Sequence, residues 1–163
     1  MGTVQSIYRV RMATPDDEPG IMDLCRMLHA ENGLFPLDED LVLSLVRDVL
    51  LNKQGFIGVI GPSDKLEGSI LLRLSNMWYS REPVLEEFWN FVHPDYRKSE
   101  RAKRMLKFAK SCSLKMHVPL LIGIVSNVRT EAKCRLYNRE LPKAGEFYLF
   151  RGDQGAESVA MRH

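Results

Sequence analysis

Residues 85–106 read LEEFWNFVHPDYRKSERAKRML, and this stretch constrains the fold more tightly than any other part of the chain. A strand-like run over 85–92 breaks at His93-Pro94, and a basic amphipathic helix follows after a short turn. Proline cannot extend a ladder and pushes the residue before it to extended geometry, so the strand has to end there. In the helix, Ala102, Met105, Leu106, Ala109 and Cys112 recur at the spacing of one buried stripe, with Lys103, Arg104, Lys107 and Lys110 outside it. Ser99 is placed to cap it. A strand feeding a helix N-terminus is a seat for phosphate, because unpaired N–H groups and aligned peptide dipoles put about half a positive charge there. Between Arg97 and Lys110, seven Lys or Arg face the single Glu100, so this segment is +6 in a chain of +2 and the remainder is −4. By spacing alone the plainer reading, a docked helix with a solvated basic face, is the stronger one.

The neighbouring segments supply an order of elements. A strand is predicted over 7–12, and Thr14-Pro15-Asp16-Asp17 signals a helix start with Thr14 or an Asp as cap. Ile21, Leu24, Cys25 and Leu28 form the stripe of that helix, which Asn32-Gly33 ends, and a second helix is predicted over 38–51. Runs over 56–60 and 67–74 read as a hairpin around Gly61-Pro62-Ser63-Asp64, and 77–83 as a loop. The near-continuous apolar run over 119–125 is that of a buried parallel strand. A helix from Thr130 to about 141 and a last strand over 147–150 complete the series. Residues 151–163 read as a flexible polar tail to a single domain over 1–150.

Val92-His93-Pro94-Asp95-Tyr96-Arg97 and Arg97-Lys98-Ser99-Glu100-Arg101-Ala102 resemble the acyl-CoA-binding turn of the GNAT N-acetyltransferase superfamily, which runs Arg or Gln, two residues, Gly, one residue, Gly or Ala. Arg97 and Ala102 match, whereas Glu100 stands where the family usually has its first glycine. The element order is also the one expected of that family, so the resemblance covers roughly residues 7–150. It implies an α/β (α+β) fold with a central mixed sheet flanked by helices, and an N-acetyltransferase that moves an acetyl group directly from acetyl-CoA to a primary amine. It places the cofactor on Arg97, Lys98, Ser99, Glu100, Arg101 and Ala102, with backbone N–H groups near Phe91 and Val92 polarising the thioester. It also implies Asn127 on the pantetheine arm and Tyr137 near the CoA sulfur. The bland reading of Tyr137 is a half-buried packing residue.

The general base is the least determined element. Glu86 and Glu87 point to opposite faces of a regular strand, so one at most lines a given cleft. Glu86 lies eleven residues before Arg97, an offset at which some members of the family carry a base on this strand, and is the residue expected to accept the proton. Trp78 and Tyr79 are candidates for a substrate wall. The four histidines form no ligand set, no metal is implied, and there is no Walker loop.

Composition narrows the alternatives. With 45% hydrophobic and 27% charged residues, the 163-residue chain is neither disordered nor fibrous. No apolar run approaches the ~20 residues that cross a bilayer. Three cysteines without zinc or disulfide spacing point to a reducing cytoplasm. Met1, Gly2 and Ser6 match a loose myristoylation pattern, which a strand starting at Ile7 disfavours. The modest net charge argues against a nucleic-acid binder, although the basic helix keeps that alternative open beside a CoA- or protein-binding domain without useful catalysis. The acceptor, a small-molecule or protein amine, is not readable, nor is the oligomeric state; a homodimer is common in proteins of this resemblance.

Overall fold

A hairpin needs a residue that tolerates left-handed geometry, and Gly61, at φ 96°, supplies it. In the computed structural model, which describes residues 9–51 and 54–152, the runs on either side of that turn pair antiparallel. They form β2 (Gly55–Ile60) and β3 (Gly68–Asn76), with Ile60 opposite Gly68. β1 (Arg11–Met12) joins the free edge of β2, β4 (Pro83–Val92) pairs antiparallel with β3, and β5 (Leu120–Leu121) lies parallel to β4. The sheet order is β1-β2-β3-β4-β5, so its parallel pair is reached by crossing over through a helix.

That helix is α3 (Arg101–Met116), which covers one face of the sheet, while α1 (Glu18–Asn32) and α2 (Glu39–Leu50) pack on the other. Strand alternation sorts the core accordingly. Ile57, Val59, Leu71, Trp89 and Phe91 face α1 and α2. Ile60, Ile70, Leu72, Leu85 and Val92 face Met105 and Ala109 of α3. Leu106 is fully buried on α3 as its stripe predicts, and truncation to Ala should cost ~2–5 kcal/mol. α4 (Thr130–Glu140) is tied to α3 by Lys110, whose Nζ donates to the Glu140 carbonyl at 2.8 Å.

Leu85 and Val92 share a face although seven residues separate them, which a regular strand forbids. A bulge resolves this: Leu71 pairs with Trp89 and Leu72 with Glu87, leaving Phe88 unopposed. Side chains before Phe88 therefore change faces relative to those after it.

The start of α1 is fixed by Asp17, fully buried, which accepts from both Arg11 terminal nitrogens at 2.8 Å, from Ser63 at 2.7 Å and from the Thr14 N–H at 2.8 Å. Burial opposes ionisation of Asp17, but these bonds outweigh it and hold the carboxyl at about 2. One side chain thus joins β1, α1 and the hairpin turn.

Three expectations are corrected. The run over 119–125 pairs only at Leu120–Leu121, because β5 then leaves β4, and Val125 is exposed. No strand forms over 147–150; Phe147, Tyr148 and Phe150 are exposed, since no ladder partner lies beside them. Ser99 stands one place ahead of the N-cap residue, Glu100; its hydroxyl donates to the Tyr96 carbonyl at 2.7 Å and accepts from the Arg101 N–H, the first of α3, at 3.4 Å. The myristoylation pattern, the strand start at Ile7 and residues 153–163 of the expected tail lie outside the described residues. Among the described residues no helix is long and apolar enough to cross a membrane.

Candidate active site

β4 and β5 pair at only two positions, Leu85 with Leu120 and Glu86 with Leu121. Beyond them the strands part, and the opening is flanked by two cavities that share Asn90 and Lys133.

The larger cavity, about 450 Å³, lies over the turn into α3 and is lined by Phe91, Val92, Arg97, Lys98, Ser99, Glu100, Ala102 and Lys103, with Arg129, Lys133 and Arg139 opposite. Among the described residues, the backbone N–H groups of Lys98, Ser99, Glu100, Ala102 and Lys103 have no partner. Lys98 holds φ at 60°, which gives the turn its tight curl. Several cations and a row of unpaired N–H groups at a helix N-terminus form a donor set suited to phosphate. Arg97 is pre-positioned: it pairs with Glu31 at 2.7 Å, donates to the Val92 carbonyl at 3.1 Å and lies over the Phe91 ring. Arg101, expected beside the phosphates, is buried and paired with Glu67 at 2.8 Å, with its guanidinium against Tyr96. It braces the turn from behind.

The smaller cavity, about 220 Å³, is lined by Glu86, Glu87, Asn90, Lys133 and Tyr137, with Leu28, Asn32, Trp89 and Phe147 among its other walls. Because of the bulge, Glu87 and Asn90 both face α4, although three residues apart. There they meet Tyr137: its hydroxyl lies 3.1 Å from Glu87 Oε2 and 3.4 Å from Asn90 Nδ2. Asn90 Nδ2 also lies 3.4 Å from the Ala102 carbonyl, which fixes the amide with its NH2 toward both groups. An amide nitrogen only donates, so the Tyr137 hydroxyl accepts from Asn90 and directs its own proton at Glu87.

Burial raises the Glu87 carboxyl to about 7, with the Tyr137 hydrogen bond and Lys133 partly offsetting it. Burial and the neighbouring Glu87 hold the Tyr137 phenol well above its usual range, so it is neutral. Glu87 is therefore poised to exchange a proton near neutral pH, and Tyr137 holds one.

Glu86 reaches the same cavity but accepts from the Ser75 hydroxyl at 2.9 Å on the opposite face of the strand, away from Tyr137. The two carboxylates thus part: Glu86, the residue expected to accept the proton, meets Ser75, and Glu87 meets Tyr137. The Asn127 N–H donates to Asn32 Oδ1 at 2.8 Å, and Asn127 lines neither cavity. Trp78 and Tyr79 pack edge to face on each other in an exposed loop, outside both cavities. None of the three cysteines lines either one, and burial pushes the Cys25 thiol up to about 12. Among the described residues no group of His, Cys, Asp and Glu is arranged to hold a metal.

Sequence reasoning missed Asn32, Asn90 and Lys133. Lys133 was accessible, being one helical turn before Tyr137 and hence on its face. Asn90 was not, because its orientation depends on the bulge.

No protein-family model matches the chain, and no curated protein matches it. Its fold is shared by many solved structures. A possible acetyltransferase from Clostridium difficile 630 is 19% identical, with 90% of this chain and 98% of that one covered at a TM-score of 0.67. A predicted acetyltransferase with acetyl-CoA from Clostridium acetobutylicum is 10% identical over 88% and 95%, at 0.72. AAC(6')-Iy in complex with the bisubstrate analogue CoA-S-monomethyl-acetylneamine is 12% identical over 89% and 97%, at 0.68. The described residues therefore have the GNAT acetyltransferase fold, among them a five-stranded mixed sheet flanked by four helices.

Proposed function

We propose that this protein transfers an acetyl group from acetyl-CoA directly to a small primary amine. The observation that carries the reading is the Glu87–Tyr137 hydrogen bond, in the smaller cavity and beside the phosphate-suited one. The larger cavity suits acetyl-CoA, with the pyrophosphate on the N–H groups from Lys98 to Lys103 and with Arg97, Lys98 and Lys103 adding charge. Bound there, acetyl-CoA supplies the acetyl group and a thiol leaving group.

Glu87 takes the proton from the acceptor ammonium and frees its lone pair. The new C–N bond forms on the acetyl carbonyl, the attacking nitrogen loses its second proton to water, and the C–S bond breaks while backbone N–H groups near Phe91 and Val92 polarise the carbonyl oxygen. Tyr137 gives its proton to the departing sulfur. Glu87, hydrogen-bonded to Tyr137, returns the proton it took from the amine, so both residues end as they began. The pair acts as one proton-passing unit, with Asn90 keeping the phenol oriented.

Steady-state turnover of acetyl-CoA over a panel of amines, read as free thiol, tests the proposal. Thiol release that depends on amine and falls in Glu87→Gln supports it; tight acetyl-CoA binding without turnover of any amine would instead favour a binding domain. The free cysteines suit a reducing cytoplasm as its setting.

A further inference from the structure

The smaller cavity carries a cation that it shares with the larger one. Lys133 lines it, and among the described residues the Lys133 ammonium has no hydrogen bond and no ion pair. Burial lowers its pKa, with Glu87 partly restoring it. Glu87 and Glu31 act on this partly desolvated ammonium only through space, so a ligand anion in direct contact would stabilise it further.

Asn32 adds a second donor to the same wall. Its Oδ1 accepts from the Asn127 N–H at 2.8 Å, the Ser126 hydroxyl at 3.2 Å and the Val128 N–H at 3.3 Å. Three donors fix the amide orientation, and the NH2 has no partner among the described residues. The cavity thus offers two unpaired donors, Lys133 and Asn32, beside one proton acceptor, Glu87.

The cosubstrate is a poor source of the missing anion. Its phosphates belong at the turn into α3, and its thioester end, beside Tyr137, is uncharged. The anion therefore arrives with the acceptor. The cavity, about 220 Å³, falls below the ~300–1,000 Å³ of sites for drug-sized ligands, so the acceptor is small.

We propose that the acceptor is a free amino acid or a close analogue, its amine at Glu87, its carboxylate on Lys133 and Asn32, and an apolar side chain against Leu28, Trp89 and Phe147. This deepens the acetyl-transfer reading and rests on it. The experiment compares kcat/KM for L-leucine with isoamylamine, and for L-phenylalanine with phenethylamine, in the parent protein, Lys133→Met and Lys133→Arg. At least one amino acid should be preferred over its decarboxylated amine by about ten- to a hundredfold, the value of a charge-assisted contact. Lys133→Met should bring that ratio near one by raising the KM of the amino acid well beyond any change in that of acetyl-CoA, and Lys133→Arg should keep part of the preference. A ratio near one in the parent overturns the inference while leaving acetyl transfer intact. So does a Lys133→Met effect confined to the acetyl-CoA KM, which would assign the lysine to the cosubstrate. Melting shifts with saturating CoA form the second arm. If no amine is turned over, an amino-acid shift that disappears in Lys133→Met sustains the zwitterion site and sinks only the transfer reading; no shift with either amino acid overturns the site as well.

Discussion

The two cavities share Asn90 and Lys133, yet they are built in opposite ways. The phosphate-suited floor of the larger one is a single turn, from Arg97 to Lys103, and its donors are mostly backbone. The smaller draws on α1, β4, the stretch after β5 and α4, with wall residues from Leu28 to Phe147, and its working groups are all side chains. A backbone site follows from local geometry, so a poor residue such as Glu100 degrades it without abolishing it. An assembled side-chain site depends on each member, so losses there should be steep.

The steepest expected loss is at Glu87. Glu87→Gln should lower turnover by ~10²–10⁴-fold, whereas Glu86→Gln, on the Ser75 side of the strand, should change it little. Equal losses in the two variants would erase the distinction drawn by the bulge. With Glu87 raised to about 7, kcat/KM in the parent should climb as pH rises through that value, and Glu87→Gln should lack the climb.

Tyr137→Phe keeps the ring and removes only the hydroxyl. Acetyl-CoA binding measured by calorimetry should be nearly normal, and turnover should fall at least ~tenfold, a modest loss because water can substitute. Full turnover with chemistry rate-limiting would make Tyr137 a packing residue. In a double-mutant cycle with Glu87→Gln, a shared proton unit predicts a combined loss smaller than the product of the two single ones.

Stability gives a subtler contrast. The folded-state pKa of Glu87 lies above its ordinary value of 4.5, so the folded protein binds a proton there between pH 4.5 and 7 that the unfolded chain does not. The contribution of Glu87 to stability is therefore fully present below 4.5 and is lost as pH rises through about 7. Glu87→Gln should melt higher than the parent at pH 8, and the difference should shrink as pH falls to 5. A constant difference would mean that Glu87 is not set back from water.

The smallest effect belongs to the larger cavity. Glu100 is exposed, so a carboxylate ~7 Å from a phosphate at high dielectric costs about 0.5–1 kcal/mol. Glu100→Gly should tighten CoA binding a few-fold by calorimetry, less at high salt. Unchanged affinity would show that this turn tolerates a negative charge at its centre.

The same contrast explains what could be read in the residue string. The α3 stripe, the His93-Pro94 break and the hairpin at Gly61 are local, and each appears where periodicity or turn chemistry puts it. Tyr137 was reachable through family resemblance and does line the cavity. Glu87 was hidden because pairing with β3, not the residues of β4 alone, decides where the extra residue sits. Asn32 looked only like a helix terminator; its role in holding the chain at 126–128 depends on residues some 94 positions away. The aromatic run at 147–150 has strand propensity without a partner edge, and propensity alone forms no sheet.

The bulge at Phe88 also bears on how this site tolerates change. Consecutive carboxylates occupy the two positions ahead of the unpaired residue, so a one-residue deletion that drew Glu87 into the unpaired position would bring Glu86 opposite Leu72, where Glu87 now stands. A one-residue deletion there, ordinarily ruinous to a reaction centre, would still leave an acid facing the phenol. Duplicated lettering at a frame-sensitive point gives this strand a form of error tolerance.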